Sequence, residues 1–265
     1  MGYTKGEAKT KHLYNVVSKM GDTGKKYPKL SSYCMGQDGR HAIVMSEDKL
    51  KGYSSVLVGL HPYQSIIIGK RHNMGHANDI AYSNGYYYIV KGGGDVSSDR
   101  VLRYNTSMQF VDFFECEKNV TSIACFSKNK FIFGKGDTLY LMEMDNKSKA
   151  FKIICTGTIE RKGTALDGWI NQGMCYYNSY LYKVYGKATS GRIRNNYIAK
   201  FVCRNNNSKR LDLTLTAIYD CSKTDQYLFE IEGISVTSTG LYVAADKRES
   251  KVSDYKAAIY QVQLK

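Results

Sequence analysis

The chain has few of the residues that interrupt strands or form cysteine-based sites. It contains only two prolines, Pro28 and Pro62, so long stretches can pair into sheets without losing backbone donors. Its seven cysteines include no C-x-x-C pair. This spacing argues against a zinc ribbon or a dithiol redox motif and favours reduced thiols packed as small hydrophobes, so we assign no catalytic cysteine.

Long apolar runs are missing as well. No stretch of about 18 apolar residues occurs, and the N-terminal sequence lacks the apolar core of a secretory signal. The sequence therefore predicts a cytoplasmic protein without a transmembrane helix. A length of 265 residues with 43% hydrophobic residues is sufficient for one core, so we expect a single domain over residues 1–265.

Acidic residues are outnumbered by basic ones, with 24 Asp and Glu against 38 Lys and Arg and a formal net charge of +14. Such a surface attracts anions, whether nucleotides, anionic polymers or nucleic acid. The basic residues are spread along the whole chain instead of forming one stripe. We therefore favour a small anionic ligand as the partner and keep nucleic-acid binding as an alternative.

Five segments share one pattern, in which an apolar residue follows a polar loop and a short strand-like run then turns back at Asn, Asp or Gly. The five apolar residues are Met35, Ile80, Ile123, Met174 and Ile234. Their spacings of 45, 43, 51 and 60 residues are at or above the about 40–50 residues of a four-stranded propeller blade. The sequence thus predicts an all-β fold, specifically a five-bladed β-propeller.

The last of these units is short of one strand at the C-terminal end. The segment Ala258–Leu264 alternates as its third strand, and the N-terminal run 12–17 is the candidate for its fourth. We therefore expect the ring to be closed by pairing of the N-terminal and C-terminal strands in the last blade.

In a propeller the innermost strands line a central channel, so the residues preceding them meet at one mouth. The candidate catalytic residues on this basis are His76, Asp79 and Glu232. His76 titrates near neutrality, and the Asp79 and Glu232 oxygens suit a divalent cation such as Ca²⁺ or Mg²⁺. In the alternative interpretation, Asn78 and Asp79 cap the inner strand by hydrogen bonding to nearby backbone.

The candidate ligand-binding residues are polar or aromatic groups near the same predicted mouth. They are Tyr33, Arg71, His72, Asn78, Thr121, Trp169 and Gln172.

Two glycine-rich segments, 91–95 and 134–137, lack the Walker pattern and lie between predicted strands, so we interpret both as hairpin turns. No G-x-S-x-G segment of an α/β-hydrolase nucleophile is present.

The segments GHANDIAYSNGYYYIV, NQGMCYYNSYLYKVYG and EIEGISVTSTGLYVAA resemble a family that includes the teichoic-acid biosynthesis protein C and helveticin-type bacteriocins of Gram-positive bacteria and their phages. This resemblance implies a five-bladed propeller that engages an anionic, phosphate-containing or cell-envelope molecule through His76, Asn78 and Asp79. The NQGM and EIEG segments are also similar to the five-bladed glutaminyl cyclases, which implies a channel with a catalytic acid.

We accordingly expect the channel mouth to bind a small phosphate-containing ligand of the nucleotide or glycerol-phosphate type, with a phosphoester hydrolase-like activity. The alternatives are a non-catalytic scaffold for protein or cell-envelope polysaccharide, and a basic nucleic-acid-binding protein.

Overall fold

The computed structural model describes residues 2–47, 54–91, 99–189, 192–206, 209–223, 225–251, 253–254 and 256–265. Its first elements are β1 (Thr4–Asn15), α1 (Val16–Met20), α2 (Asp22–Lys26), β2 (Lys29–Met35), β3 (His41–Ser46), β4 (Ser54–Leu60), β5 (Ile67–Ile68) and β6 (His72–Asn73). They are followed by β7 (Asp79–Ser83), β8 (Tyr86–Val90), β9 (Arg100–Asn105), β10 (Phe110–Cys116), β11 (Ser122–Ser127), β12 (Lys130–Lys135), β13 (Thr138–Asp145) and β14 (Ala150–Thr158). The last strands are β15 (Ile170–Tyr177), β16 (Tyr180–Thr189), β17 (Arg192–Asn206), β18 (Arg210–Asp220), β19 (Leu228–Thr237), β20 (Gly240–Arg248) and β21 (Lys256–Leu264).

The fold is all-β, as predicted, and its strands form three sheets. One sheet has the order β2-β3-β4-β5, with β6 also paired to β4. The two others have eight strands each, in the orders β11-β12-β13-β14-β10-β9-β8-β7 and β15-β16-β17-β18-β1-β21-β20-β19. Each eight-stranded sheet contains one parallel pair, β10 with β14 or β1 with β18, which joins two antiparallel four-stranded units at their outer strands.

The first strands of the repeated segments surround one small cavity. This cavity, of about 90 Å³, is lined by residues of β2, β7, β11, β15 and β19, among them Met35, Ile80, Met174 and Ile234. Four of the five repeat residues therefore face a common axis, and the fifth, Ile123, lies in β11.

Large aromatic side chains fill the space between neighbouring four-stranded units. Tyr88 of β8 packs on Phe131 of β12 with ring centroids 4.9 Å apart, and Phe133 packs on Phe151 at 4.9 Å. All four rings are buried. Burial of each such side chain stabilises the fold by about 1.5–3 kcal/mol, so the tyrosines on alternating strand positions form packing layers.

The N-terminal strand pairs with the C-terminal one, as the sequence predicts. The register of β1 with β21 is antiparallel and runs from Ala8 opposite Leu264 to Asn15 opposite Ala258. The predicted N-terminal strand extends too far, because Asn15 caps α1 by accepting a hydrogen bond from the Ser18 amide at 3.1 Å. Residues 16 and 17 are accordingly helical.

Of the two glycine-rich segments, 134–137 spans the predicted hairpin turn between β12 and β13, with Gly136 at φ +60°. Residues 92–95 of the other segment lie outside the described residues. No helix in the described ranges has the length and apolarity needed to cross a membrane.

We predict that removing residues 1–15 lowers the thermal unfolding midpoint strongly, because β21 would lose its ladder with β1 and β18 would lose its parallel partner. Circular dichroism during heating measures the change, with removal of residues 1–2 as the control. An equal midpoint for both truncations would contradict the role of β1 as a clasp.

Candidate functional site

Two of the predicted site residues lie at β-bulges inside strands. Asn171 of β15 pairs with Tyr185 and Met174 pairs with Lys183, which leaves Gln172 and Gly173 opposite a single residue. In β19, Glu232 is the extra residue between two regular pairs. A bulge turns side chains out of the regular alternation of a strand, and bulges are common next to functional sites.

The backbones of β2, β15 and β19 approach one another closely at these bulges. A β-carbon placed on Gly173 would lie 2.9 Å from Gly233 Cα, and one placed on Gly233 would lie 2.6 Å from the Tyr33 nitrogen. Only glycine fits at both positions. The contact brings the Gln172 amide to Glu230, to which its Nε2 donates a hydrogen bond at 2.8 Å.

Three carboxyl groups lie together at this end of β19 and β20. Glu230 is the register partner of Asp246, and Asp246 accepts a hydrogen bond from the Leu30 amide at 3.0 Å. Burial, followed by the charges of Glu230 and Asp246, raises the pKa of Glu232 well above 4.5. Burial also raises the pKa of Glu230, whereas the Gln172 hydrogen bond and Lys29 oppose that increase.

His76 and Asn78 lie on the turn that leads into β7, where Gly75 and Ala77 both have positive φ. The side chains of His76 and Asn78 are hydrogen-bonded to each other. Partial desolvation lowers the pKa of His76, the hydrogen bond with Asn78 opposes this decrease, and Lys29 adds to it. The charge of Lys29, the first residue of β2, acts on both His76 and Glu230. We call the end of the axis where β2, β7 and β19 begin the mouth, and assign to it Lys29, His76, Asn78, Gln172, Glu230, Glu232 and Asp246.

Asp79 has the position that the alternative, capping interpretation predicts. Its side chain is fully buried, and its oxygens accept hydrogen bonds from the amides of Ile80, Ile123 and Met174 at 3.0, 2.9 and 3.1 Å. These donors belong to the starts of β7 and β11 and to β15 just after its bulge, so one carboxylate joins three strands. The capping interpretation therefore describes Asp79 better than the catalytic one.

Lys183 of β16 is a buried cation whose charge acts on the Asp79 carboxyl group. It is fully buried, and its Nζ has no hydrogen-bond partner among the described residues. Burial lowers its pKa to about 8, against the opposing charges of Asp79 and Asp137. Burial likewise raises the pKa of Asp79 to about 8, with the three amide donors and Lys183 opposing the increase.

Three predicted ligand-binding residues have hydrogen-bond partners within the protein. Tyr33 is fully buried, and its hydroxyl shares a 2.9 Å hydrogen bond with His41 Nδ1. Arg71 is hydrogen-bonded to the Ser54 hydroxyl. His72, in β6, is bonded to the Tyr104 hydroxyl at 2.5 Å. Local pairing of β6 with β4 explains the last two positions, and the three ligand-binding assignments stay predictions.

The side chains of Trp169 and Thr121 also contact other residues of the protein. The indole of Trp169 stacks on Tyr197 at 4.0 Å, and Lys187 Nζ lies 5.9 Å from its centroid. Thr121 donates its hydroxyl to the Gly134 carbonyl at 3.2 Å. These contacts lie away from the bulges of β15 and β19, whereas His76, Asn78, Gln172 and Glu232 are the predicted site residues that we assign to the mouth.

Sequence reasoning did not select Lys29, Glu230 and Asp246. Glu230 is two residues before Glu232 in a predicted strand, and this spacing could have indicated that both side chains lie on the same face. Asp246 becomes visible only through the register of β20 on β19. Within the described residues, no group of three or more His, Cys, Asp or Glu side chains is placed to hold a metal ion.

No family model matches this sequence, and no curated protein matches it. Several solved structures are similar. The tail fiber of Staphylococcus aureus phage P68 is 15% identical with a TM-score of 0.61, over 97% of this chain and 52% of that chain. A structure from a study of GH130 mannoside phosphorylases and β-1,2-mannosidic hydrolases is 9% identical with a TM-score of 0.50, over 88% and 84% of the two chains. The chain thus spans about half the length of the phage protein.

At these identities the similarity shows the fold alone, and the structural neighbours are β-propeller-like proteins. The predicted propeller class is supported at that level. No sequence match supports the more specific resemblance to the teichoic-acid protein C and helveticin-type family, or to the glutaminyl cyclases.

We predict that Asp79→Ala destabilises the protein by roughly 3 kcal/mol or more, because three buried amide donors lose their acceptor and buried Lys183 loses an opposite charge. Urea denaturation measures the loss. Lys183→Met is the comparison variant and should cost less, since the three amides keep their carboxylate. An Asp79→Ala effect no larger than that of Lys183→Met would argue against the clamp.

A second prediction concerns pH. The folded-state pKa of Glu232 is raised above its unfolded value, so its contribution to stability is present at low pH and is lost as pH rises through the folded pKa. Glu232→Gln should therefore stabilise the protein at about pH 8, with a gain that shrinks toward about pH 4. Denaturation midpoints at both pH values test this, with the exposed Glu143→Gln as control. A pH-independent effect would contradict it.

Proposed function

We propose that the chain is a five-bladed β-propeller. The support comes from the five units led by β2, β7, β11, β15 and β19, whose first strands line one cavity. The parallel pairs β10 with β14 and β1 with β18 then join the outer strands of neighbouring blades, which merges four blades into two eight-stranded sheets.

We propose further that the mouth binds a hydroxyl-rich ligand, a saccharide. The observation that carries this proposal is the convergence of Glu230, Glu232 and Gln172 at two bulges, with the 2.8 Å bond between Gln172 and Glu230 holding them together. Carboxylates accept hydrogen bonds from sugar hydroxyls, and the amides of Gln172 and Asn78 both donate and accept. Pockets with a few such convergent polar groups are typical ligand sites.

The phosphate-containing ligand expected from the net charge fits the mouth less well. Three carboxyl groups face it, and Lys29 is the opposing cation that acts on Glu230. A phosphate group here would meet like charge. The basic surface has a different use in this proposal, because a net charge of +14 attracts an anionic polysaccharide whose sugar hydroxyls are then recognised at the mouth.

Hydrolysis is a second candidate function, favoured by one observation. Burial and neighbouring carboxylates keep the pKa of Glu232 well above 4.5, whereas Glu230 is hydrogen-bonded to Gln172. A protonated carboxyl beside an ionised one is the arrangement that general acid catalysis requires. In this proposal the bond that is hydrolysed is a glycosidic bond, whereas the sequence analysis predicted a phosphoester bond.

Isothermal titration calorimetry with mannobiose, N-acetylglucosamine, glycerol 3-phosphate and inorganic phosphate tests the proposal. A β-mannoside is a reasonable first probe, because one fold neighbour comes from a study of β-1,2-mannosidic linkages. We expect a saccharide to bind the wild type, and Glu230→Gln or Gln172→Ala to weaken binding about tenfold, the effect of one lost charge-assisted hydrogen bond.

Glu143→Gln and Gln109→Ala are the matched controls, since both change exposed residues of the same types outside the mouth. Binding of glycerol 3-phosphate in preference to the sugars would replace the saccharide with a phosphate ligand. Saccharide affinity unchanged in both mouth variants would refute the mouth as the site.

A further inference from the structure

A larger cavity lies at the far end of the axis from the mouth. It has a volume of about 470 Å³ and shares Met35, Tyr82 and Val236 with the small axial cavity. Its walls are the turn from β2 to β3, the turn from β19 to β20, and the ends of β7 and β15. This volume is within the range of about 300–1,000 Å³ that small-molecule sites in proteins occupy.

The polar groups of this cavity are oxygen atoms suited to hydroxyl ligands. Asp38 accepts a hydrogen bond from the Arg40 amide at 3.0 Å, and its side chain is 45% exposed. Thr237 and Thr239 share a hydrogen bond between their hydroxyls at 2.8 Å. The carboxylate of Asp38 can therefore still accept hydrogen bonds from a bound molecule.

Two tyrosines provide apolar surface in the same cavity. Tyr82 and Tyr177 are half-buried at the ends of β7 and β15. Tyr82 is held by packing on Tyr87, with ring centroids 5.1 Å apart. Aromatic rings next to hydroxyl and carboxylate groups present both apolar and hydrogen-bonding surface, which is what the two faces of a sugar ring require.

An unpaired buried hydroxyl lies behind the wall of the cavity. Tyr87 is fully buried, and its hydroxyl has no hydrogen-bond partner among the described residues. A β-carbon placed on Gly36, which lines the cavity, would lie 2.7 Å from this hydroxyl and 2.9 Å from Asp38 Oδ1. Glycine at position 36 therefore lets the turn from β2 to β3 pack against Tyr87 while it carries Asp38 into the cavity wall.

Charge excludes an anionic occupant. Asp38 is the charged residue among those that line the cavity. Arg40 Nη2 lies 3.6 Å from Asp38 Oδ2, and the same guanidinium donates to the Thr106 carbonyl at 2.5 Å and to Gln64 at 3.2 Å. Because Arg40 is already paired with Asp38, a phosphate or carboxylate ligand would meet no uncommitted cation here.

We infer that this cavity is a second ligand site, separate from the mouth, which binds a neutral sugar or polyol through Asp38, Tyr177 and the Thr237 hydroxyl. It does not depend on the function proposed for the mouth, because the two sites share no residue.

Methionine methyl groups labelled with ¹³C provide local reporters for the test. Met35 lines the cavity, whereas Met144 belongs to β13 and packs in a different core cluster. We expect titration with glucose or N-acetylglucosamine to shift the Met35 methyl signal and to leave Met144 unchanged, and inorganic phosphate to shift neither. Asp38→Asn and Tyr177→Ala should each weaken the response about tenfold, the effect of one lost contact with a charged or aromatic group.

Tyr63→Ala is the control for loss of a tyrosine, since Tyr63 is 92% exposed and lies outside the cavity. Glu230→Gln, in the mouth, should leave the Met35 response intact, which separates the two sites. If Tyr177→Ala does not fold, Thr237→Val replaces it. A silent Met35 signal with every sugar, an unchanged response in the cavity variants, or a response lost in Glu230→Gln would each overturn the inference.

Discussion

A single buried carboxylate sets the relative positions of three strands. Asp79 opens β7 and accepts amide hydrogen bonds from the start of β11 and from β15 just after its bulge. Each of these hydrogen bonds fixes the backbone of one strand along the axis. The polar residues next to the bonded amides are therefore held in place by the strand backbones. The close approach of Gly173 and Gly233 continues the same contact toward β19 and β2.

The two ends of the axis differ in chemistry as a result. At the end where the strands begin, bulges turn Gln172 and Glu232 out of the regular alternation and beside Glu230. At the end where they finish, tight turns bring hydroxyl groups next to half-buried tyrosines. Both ends are rich in acceptors although the chain as a whole is strongly basic. The excess positive charge therefore lies around the axis, and the ligand recognition proposed for the two ends relies on hydrogen bonding.

The repeated strands could be predicted from sequence because each repeat combines an apolar residue with turn residues at a fixed distance. The bulges could not, since a register shift depends on the partner strand, and Asn171-Gln172-Gly173 gives no local sign of one. Asp79 and Glu232 look alike in sequence, each a carboxylate near an apolar residue. Asp79 is fully buried and accepts hydrogen bonds from three amides. Glu232 stays partly exposed beside two other carboxyl groups. The difference is tertiary and has no local signature.

The ladders between neighbouring units are unevenly distributed around the axis. Backbone hydrogen bonds link β10 to β14 and β1 to β18, whereas in the described ranges the sheet of β2 to β6 has no strand ladder to either side. Four units are thus coupled in rigid pairs, and the first is held by packing and by single bonds such as that from Leu30 to Asp246. Relative motion of the units would be concentrated at the junctions without a strand ladder in these ranges, which are the two that flank this sheet and the one between the two eight-stranded sheets. Because the first sheet contributes Lys29 to the mouth and the Gly36–Gly39 turn to the larger cavity, its motion would change the width of both openings.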